Sequence, residues 1–231
     1  MPGRRDAGDA PVSAFEHAAW EAGRLVVGID EVGRGALAGP VTVAAVVLDP
    51  SALPVGARDS KRLTPARRAV VADAVRRSSF VGLGEADSGE IDATGLAAAL
   101  TEAARRALAN VLDLPSAPSD PLVLIDGPHD LVRLDGIEVA TIVRGDAASI
   151  SIAAASVVAK VHRDTFMADQ DASHPAYGFA RNRGYASAEH LAALARFGPC
   201  SIHRHSWAPI AGMRQPTLDL GTSTSATDSG R

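Results

Sequence analysis

The sequence predicts an α/β domain built on a mixed five-stranded sheet flanked by helices, with a helical extension toward its C-terminal end. Three observations carry this reading. Apolar, strand-like runs cluster early in the chain and later alternate with stretches of helical period. Two runs, Leu25-Val26-Val27-Gly28-Ile29 and Leu122-Val123-Leu124-Ile125, are apolar throughout, as buried strands are. At 231 residues, 46% hydrophobic and 22% charged, the chain suffices for one substantial core and would cramp two.

Taken in order, Ser13 suits the N-cap of a short helix through Trp20 and Glu21. Strands follow at 25–29 and 41–48. Thr64-Pro65 opens a helix over 65–77, since proline fits the first turn and the apolar residues recur at helical spacing. A third strand is predicted at 80–85 and an Ala-rich helix at 94–112. A short strand at 122–125, bounded by Pro121 and Gly127, precedes a fifth at 137–143. A long helix spans 147–167, and Ser187 caps another that Gly198-Pro199 ends. Residues 1–12 and 215–231 hold too few large apolar side chains to offset the entropy of ordering, so both are expected as flexible tails around a domain over 13–214.

Composition excludes several classes. No apolar stretch approaches the roughly 20 residues of a membrane helix, and no apolar segment follows the arginines of the start, so the expectation is a cytoplasmic protein without a membrane partner. Cys200 is the only cysteine, which rules out an internal disulfide framework and a zinc site built mainly on thiolates. A net charge of −4 neither supports nor opposes a nucleic-acid partner, because an acidic site can mask a local basic groove.

Asp30-Glu31 follows the first strand and precedes Gly33-Arg34-Gly35. Adjacent carboxylates at an apolar strand end repel each other and lose solvation, a cost that a bound cation relieves. A solvated turn is the plain alternative. Strand alternation adds a constraint: with Asp30 on one face, Glu31 joins the same centre only by leaving regular strand geometry or by offering its backbone carbonyl. A dinucleotide-binding turn does not fit, because the acidic pair would repel a pyrophosphate and a strand follows Pro40 where a helix is required.

Asp126-Gly127 repeats the pattern of an apolar strand ending in a carboxylate, where open α/β sheets gather ligands, though a turn-initiating Asp-Gly reads the same way. On the long helix, Ser149, Ser156, Lys160 and Asp164 form one polar stripe among Ala and Val residues, with an ordinary Lys160–Asp164 pair at the surface as the plain alternative. Asp30, Glu31, Asp126 and Asp164 thus offer hard oxygen donors from separate segments. Such a set suits Mg²⁺ or Mn²⁺ rather than zinc, and two such ions suit phosphodiester hydrolysis.

These residues, with Gly28-Ile29-Asp30-Glu31-Val32-Gly33-Arg34-Gly35, Asp59-Ser60-Lys61-Arg62-Leu63, Ile125-Asp126-Gly127, Ala159-Lys160-Val161-His162-Arg163-Asp164 and His174-Pro175-Ala176-Tyr177-Gly178-Phe179, resemble bacterial ribonuclease HII. The resemblance covers about 15–210. It implies a ribonuclease H-like fold and an acidic metal-binding quartet of Asp30, Glu31, Asp126 and Asp164. It also implies a monomer that acts on RNA–DNA hybrids and on ribonucleotides embedded in duplex DNA, cutting on the 5′ side to leave 3′-hydroxyl and 5′-phosphate ends. The Gly33-Arg34-Gly35 turn would approach the ribose 2′-hydroxyl, and Tyr185 would stack on the following deoxyribose. Lys61, Lys160, Arg181 and Arg183 are candidate phosphate contacts, with Arg58 and Arg62 adding local charge.

Two departures stand out: residues 90–96 lack the asparagine-containing segment expected after Ile-Asp, and Arg183 replaces the more usual lysine. The rival readings are another two-metal nuclease of the same broad fold and a zinc- or nucleic-acid-binding module using Cys200, His203 and His205. The latter lacks an obvious fourth ligand.

Overall fold

The computed structural model describes residues 14–54, 56, 63–113 and 120–213; the expected tails, Ser13 and Lys61 with its neighbours lie outside them. Five strands form one sheet: β1 (Val26–Val32), β2 (Val41–Leu48), β3 (Ser79–Ala86), β4 (Leu122–Asp126) and β5 (Glu138–Ile142). Their order is β3-β2-β1-β4-β5. The first three strands pair antiparallel, while β4 runs parallel to both β1 and β5, so the sheet is mixed as predicted.

Helices cover both faces. On one, α4 (Leu96–Leu112) packs Leu100, Ala104 and Leu108 against Val27, Ile29, Val43 and Val47. On the other, α6 (Ile150–Ser173) and α2 (Pro65–Ser78) meet Ala44, Val46 and Leu48. Alternation along β2 thus serves two cores at once. Each fully buried Val or Leu contributes roughly 1.5–3 kcal/mol relative to exposure.

Two predicted helices are each broken in two. Gly95, at φ +81°, separates α3 (Ser88–Thr94) from α4, and the Asp87–Glu90 capping box starts α3 six residues before the predicted onset at 94. Ser149 separates α5 (Gly145–Ala148) from α6, accepting the Ile152 N–H at its hydroxyl. That capping role corrects the predicted stripe: Ser149 donates to Glu16 Oε1 at 2.7 Å, joining α1 (Ala14–Glu21) to the start of α6, away from the other stripe residues. The extension comprises a 3₁₀ turn (Pro175–Tyr177), α7 (Phe179–Asn182) and α8 (Ala188–Phe197), gathered on Tyr177, Phe179, Leu194 and Ile210. No helix among the described residues is long and apolar enough to cross a membrane.

The α6–β1 contact is unusually close because Gly28 lacks a side chain. A Cβ there would stand 2.2 Å from the Ser151 carbonyl carbon and 2.6 Å from the Ile152 nitrogen. Gly28→Ala should therefore lower unfolding free energy by about 1–3 kcal/mol in urea denaturation, through overpacking against backbone that cannot rotate aside. An unchanged midpoint would contradict this close approach.

Candidate active site

Asp30 and Asp126 meet because β1 and β4 are parallel neighbours in register. Their pairing runs from Val26–Leu122 to Ile29–Ile125, and the next residue on each strand is the aspartate. Parallel neighbours lie about 4.8 Å apart, so two carboxylates come side by side at the strands' carboxyl ends. Asp30 is buried, and burial together with the charges of Glu31 and Asp126 pushes its carboxyl up to about 8 despite a hydrogen bond from Ser156. Its Oδ1 accepts the Glu31 N–H at 2.8 Å, and Asp126 Oδ1 accepts the Gly145 N–H at 2.6 Å.

Glu31 keeps regular register opposite Val43, so alternation points it away from the α6 face that Asp30 meets. Both nevertheless line one cavity of about 420 Å³, because the sheet ends there. Glu31 Oε1 pairs with Arg34 at 3.0 Å, whereas Oε2 is buried without a hydrogen-bond partner among the described residues. An unpartnered buried carboxylate oxygen beside two further carboxylates fits a hard divalent cation, whose preferred donors are oxygens. Among the described residues no three Asp, Glu, His or Cys side chains converge closely enough to ligate one ion, so a shared centre requires side-chain rotation.

The cavity's other walls are the Gly33-Arg34-Gly35 turn, Tyr185, and the cations Arg68 and Lys160. Asp164 is absent from the lining. Its Oδ1 pairs with Lys160 at 2.7 Å and its Oδ2 stands 3.9 Å from Arg68, one helical turn beyond the cavity wall. Arg181 pairs with Glu189 and Arg183 donates to the Asp164 carbonyl at 2.9 Å, so neither lines the cavity either. The departure at 90–96 has a structural use: the Asp92 carboxylate accepts from the Ser206 hydroxyl and from the His205 and Ser206 N–H groups.

Two arginines hold the loop between β1 and β2 in place. Arg204 donates to the carbonyls of Gly33 (2.7 Å), Arg34 (2.9 Å) and Gly39 (3.0 Å). Arg163 donates to those of Pro40 (2.8 Å), Ala38 (3.0 Å) and Arg183 (2.9 Å), and lies 5.5 Å from the Tyr185 ring centroid. Tyr185 itself is set by a turn in which Arg183 and Gly184 are both left-handed and Asn182 Oδ1 accepts the Gly184 N–H. Side-chain identity gives little warning of such roles, since an arginine that binds carbonyls looks in sequence like one that binds phosphate.

A further acid escaped the sequence reading. Asp146 is buried at the first turn of α5, adjacent to the Gly145 amide that binds Asp126, and like Asp164 it does not line the cavity. The available signal was weaker: Asp146 follows the fifth strand by four residues, whereas Asp126 ends its strand directly. The zinc reading loses its ligands. Both ring nitrogens of His203 are engaged, by Cys200 and by His190, while the chain at His205 is tied to Asp92.

Known structures share this architecture. Ribonuclease HII of Archaeoglobus fulgidus, solved in complex with PCNA, matches at TM-score 0.68 over 84% of this chain and 98% of its own, with 25% identity. Bst ribonuclease HIII, solved with Mn²⁺, has a TM-score of 0.58 over 75% of this chain and 70% of its own at 21% identity, a likeness of fold. The molecule is thus an α/β nuclease of the ribonuclease H class. The profile of the family described as Ribonuclease HII matches residues 27–210. Ribonuclease HII of Rhizobium meliloti (strain 1021) is 45% identical over 201 residues, 87% of this chain and 90% of that protein. The chain belongs to the ribonuclease HII family, endoribonucleases that degrade the RNA of RNA–DNA hybrids.

Burial and repulsion at Asp30 have a thermodynamic signature. Between its ordinary value near 3.8 and about 8, the folded protein keeps a proton that the unfolded chain releases, so this group's contribution to stability falls as pH rises through that window. In chelator at pH 7, Asp30→Asn should raise Tm by roughly 2–4 °C or more. A lower Tm would show that the pair is not frustrated.

Proposed function

We propose that the cavity between the β1 and β4 ends and α6 is where this enzyme cuts, hydrolysing the RNA strand of hybrids and the bond on the 5′ side of ribonucleotides embedded in duplex DNA. The observation that supports this most is the side-by-side placement of Asp30 and Asp126 next to the Gly33-Arg34-Gly35 turn. Asp30, Glu31 and Asp126 would hold divalent cations, Mg²⁺ or Mn²⁺; the Mn²⁺ bound by Bst ribonuclease HIII supports that choice. Two such ions supply an activated water and stabilisation of the leaving oxygen.

The chain's own residues do the rest. Carbonyl anchoring by Arg204 leaves the glycine turn no freedom to retreat from a 2′-hydroxyl brought against it, and the lack of side chains at Gly33 and Gly35 lets nucleic acid approach the backbone. Lys160 and Arg68 meet the phosphate backbone, and Tyr185 on the rim stacks on the sugar after the ribonucleotide. For the fourth acidic position, Asp164 and Asp146 compete. The pairing of Asp164 with Lys160 and Arg68 favours a part in setting those cations, and the burial of Asp146 beside the Asp126 loop favours it as the fourth acid.

Cleavage of duplex DNA holding one ribonucleotide, with product ends mapped in Mg²⁺ and in Mn²⁺, tests the reading. Asp30→Asn and Asp126→Asn should each lower kcat by more than about 100-fold with hybrid binding retained. Activity within tenfold of wild type would refute the site. Asp146→Asn should match those losses and Asp164→Asn should fall short of them; the reverse ranking returns Asp164 to the quartet. Tyr185→Ala should harm cleavage at single ribonucleotides more than along continuous hybrids, and equal losses would remove the stacking role.

A further inference from the structure

The helical extension contains a hydrogen-bonded chain that ends on the backbone of Tyr185. His190, on α8, and His203, bridged to Ala38 in the loop after the glycine turn, are fully buried, with their Nε2 atoms 3.0 Å apart. Beyond each ring lies a backbone group of fixed polarity. The Cys200 N–H donates to His203 Nδ1 at 2.9 Å, and the Tyr185 carbonyl stands 2.9 Å from His190 Nδ1. The same carbonyl accepts the Ser187 N–H at 2.8 Å, so both its lone pairs are used.

These end groups determine every proton between them. An amide N–H only donates and a carbonyl only accepts. His203 Nδ1 must therefore present a lone pair, which puts the proton of a neutral ring on Nε2. His190 Nδ1 must carry a proton to meet the Tyr185 carbonyl, leaving its Nε2 to accept from His203. One proton per ring satisfies the whole chain. A second has no place: on His203 Nδ1 it would face the Cys200 N–H, and on His190 Nε2 it would face the His203 N–H.

The surroundings agree. Among the described residues, the titratable groups facing His203 are His174, Tyr177, His190, Cys200 and His205. None is a carboxylate that would favour an imidazolium, and Glu189, next to His190, is committed to Arg181. Burial first, and the neighbouring His190 second, bring His203 down to about 4, and burial also lowers His190. Burial raises the Cys200 thiol, so its 3.1 Å contact with His203 Nδ1 joins neutral partners rather than a thiolate and an imidazolium.

The geometry points to His190 and His203 as positioning residues, a tautomer-locked pair that fixes the Tyr185 carbonyl and hence the angle at which the Tyr185 ring meets nucleic acid. The functional half of this inference rests on the stacking role proposed for Tyr185; the tautomers do not. Because folded His203 refuses a proton that the unfolded chain accepts below about 6.5, the pair's contribution to stability is complete above that pH and is lost as pH falls toward about 4.

Long-range ¹H–¹⁵N spectra of the full chain, labelled at histidine, read the tautomers directly. At pH 6 His203 is expected as the Nε2–H form and His190 as the Nδ1–H form, both neutral; an imidazolium or the opposite tautomer in either ring overturns the proposal. In kinetics, His190→Leu should raise KM for a single-ribonucleotide duplex about fivefold more than for a continuous hybrid, the worth of one hydrogen bond. His190→Asn, which keeps a donor near the Nδ1 position, should recover most of that difference, and neither change should add to Tyr185→Ala. Equal losses on both substrates, with the expected tautomers, overturn the positioning role. Should Tyr185→Ala itself show no substrate preference, the stacking role and the functional half fall together, while the spectra still judge the pair.

Discussion

Two guanidinium groups with no exposed surface decide how the front of this protein is built. Arg163 and Arg204 are fully buried, and among the described residues neither forms a salt bridge. A buried cation without hydrogen bonds is severely penalised, and each guanidinium carries five donors in a rigid fork. Backbone carbonyls of residues 33, 34, 38, 39, 40 and 183 meet that demand. Burial lowers both guanidinium values, Arg204 to about 10, which leaves it charged at neutral pH. The loop between β1 and β2 is therefore held in one shape by residues far away in sequence.

That arrangement ties recognition to chemistry. The loop carrying Gly33-Arg34-Gly35 is continuous with the strand ending in Asp30-Glu31, and Arg163 lies on the helix that presents Ser156 and Lys160. The same Arg163 packs against Tyr185 and binds the Arg183 carbonyl, while the Leu37 N–H donates to the Gly184 carbonyl at 2.8 Å. Acidic floor, glycine turn and aromatic rim thus share one rigid frame. The helical extension, which looks peripheral in sequence, supplies the frame's second side.

Electrostatically the cavity sets three carboxylates against three cations. Arg34, Lys160 and Arg68 are each paired or placed beside acids, so the cationic side does not simply cancel the acidic floor. Asp30 is the buried acid that no cation pairs with among the described residues, since its partners are a neutral hydroxyl and an amide. Frustration of this kind is tolerated where a ligand relieves it, and its location agrees with the residues that the family resemblance singles out.

Residue pattern alone determined the mixed sheet, its two central apolar strands, the carboxylates at their ends and the family, because each depends on local periodicity or on a long contiguous motif. The breaks at Gly95 and Ser149 were harder to see, since helical periodicity continues across both and only the capping geometry ends it. Tertiary structure alone decided which acids share the cavity. Helical spacing put Asp164 on a stripe with Ser156 and Lys160, but the stripe outruns the cavity, at about 1.5 Å per residue, and its far end finds cationic partners. Arg163, Arg204 and the His190–His203 pair are held by contacts across more than ten residues of chain. A side chain's partner at that range is set by how the elements pack, which no local pattern records.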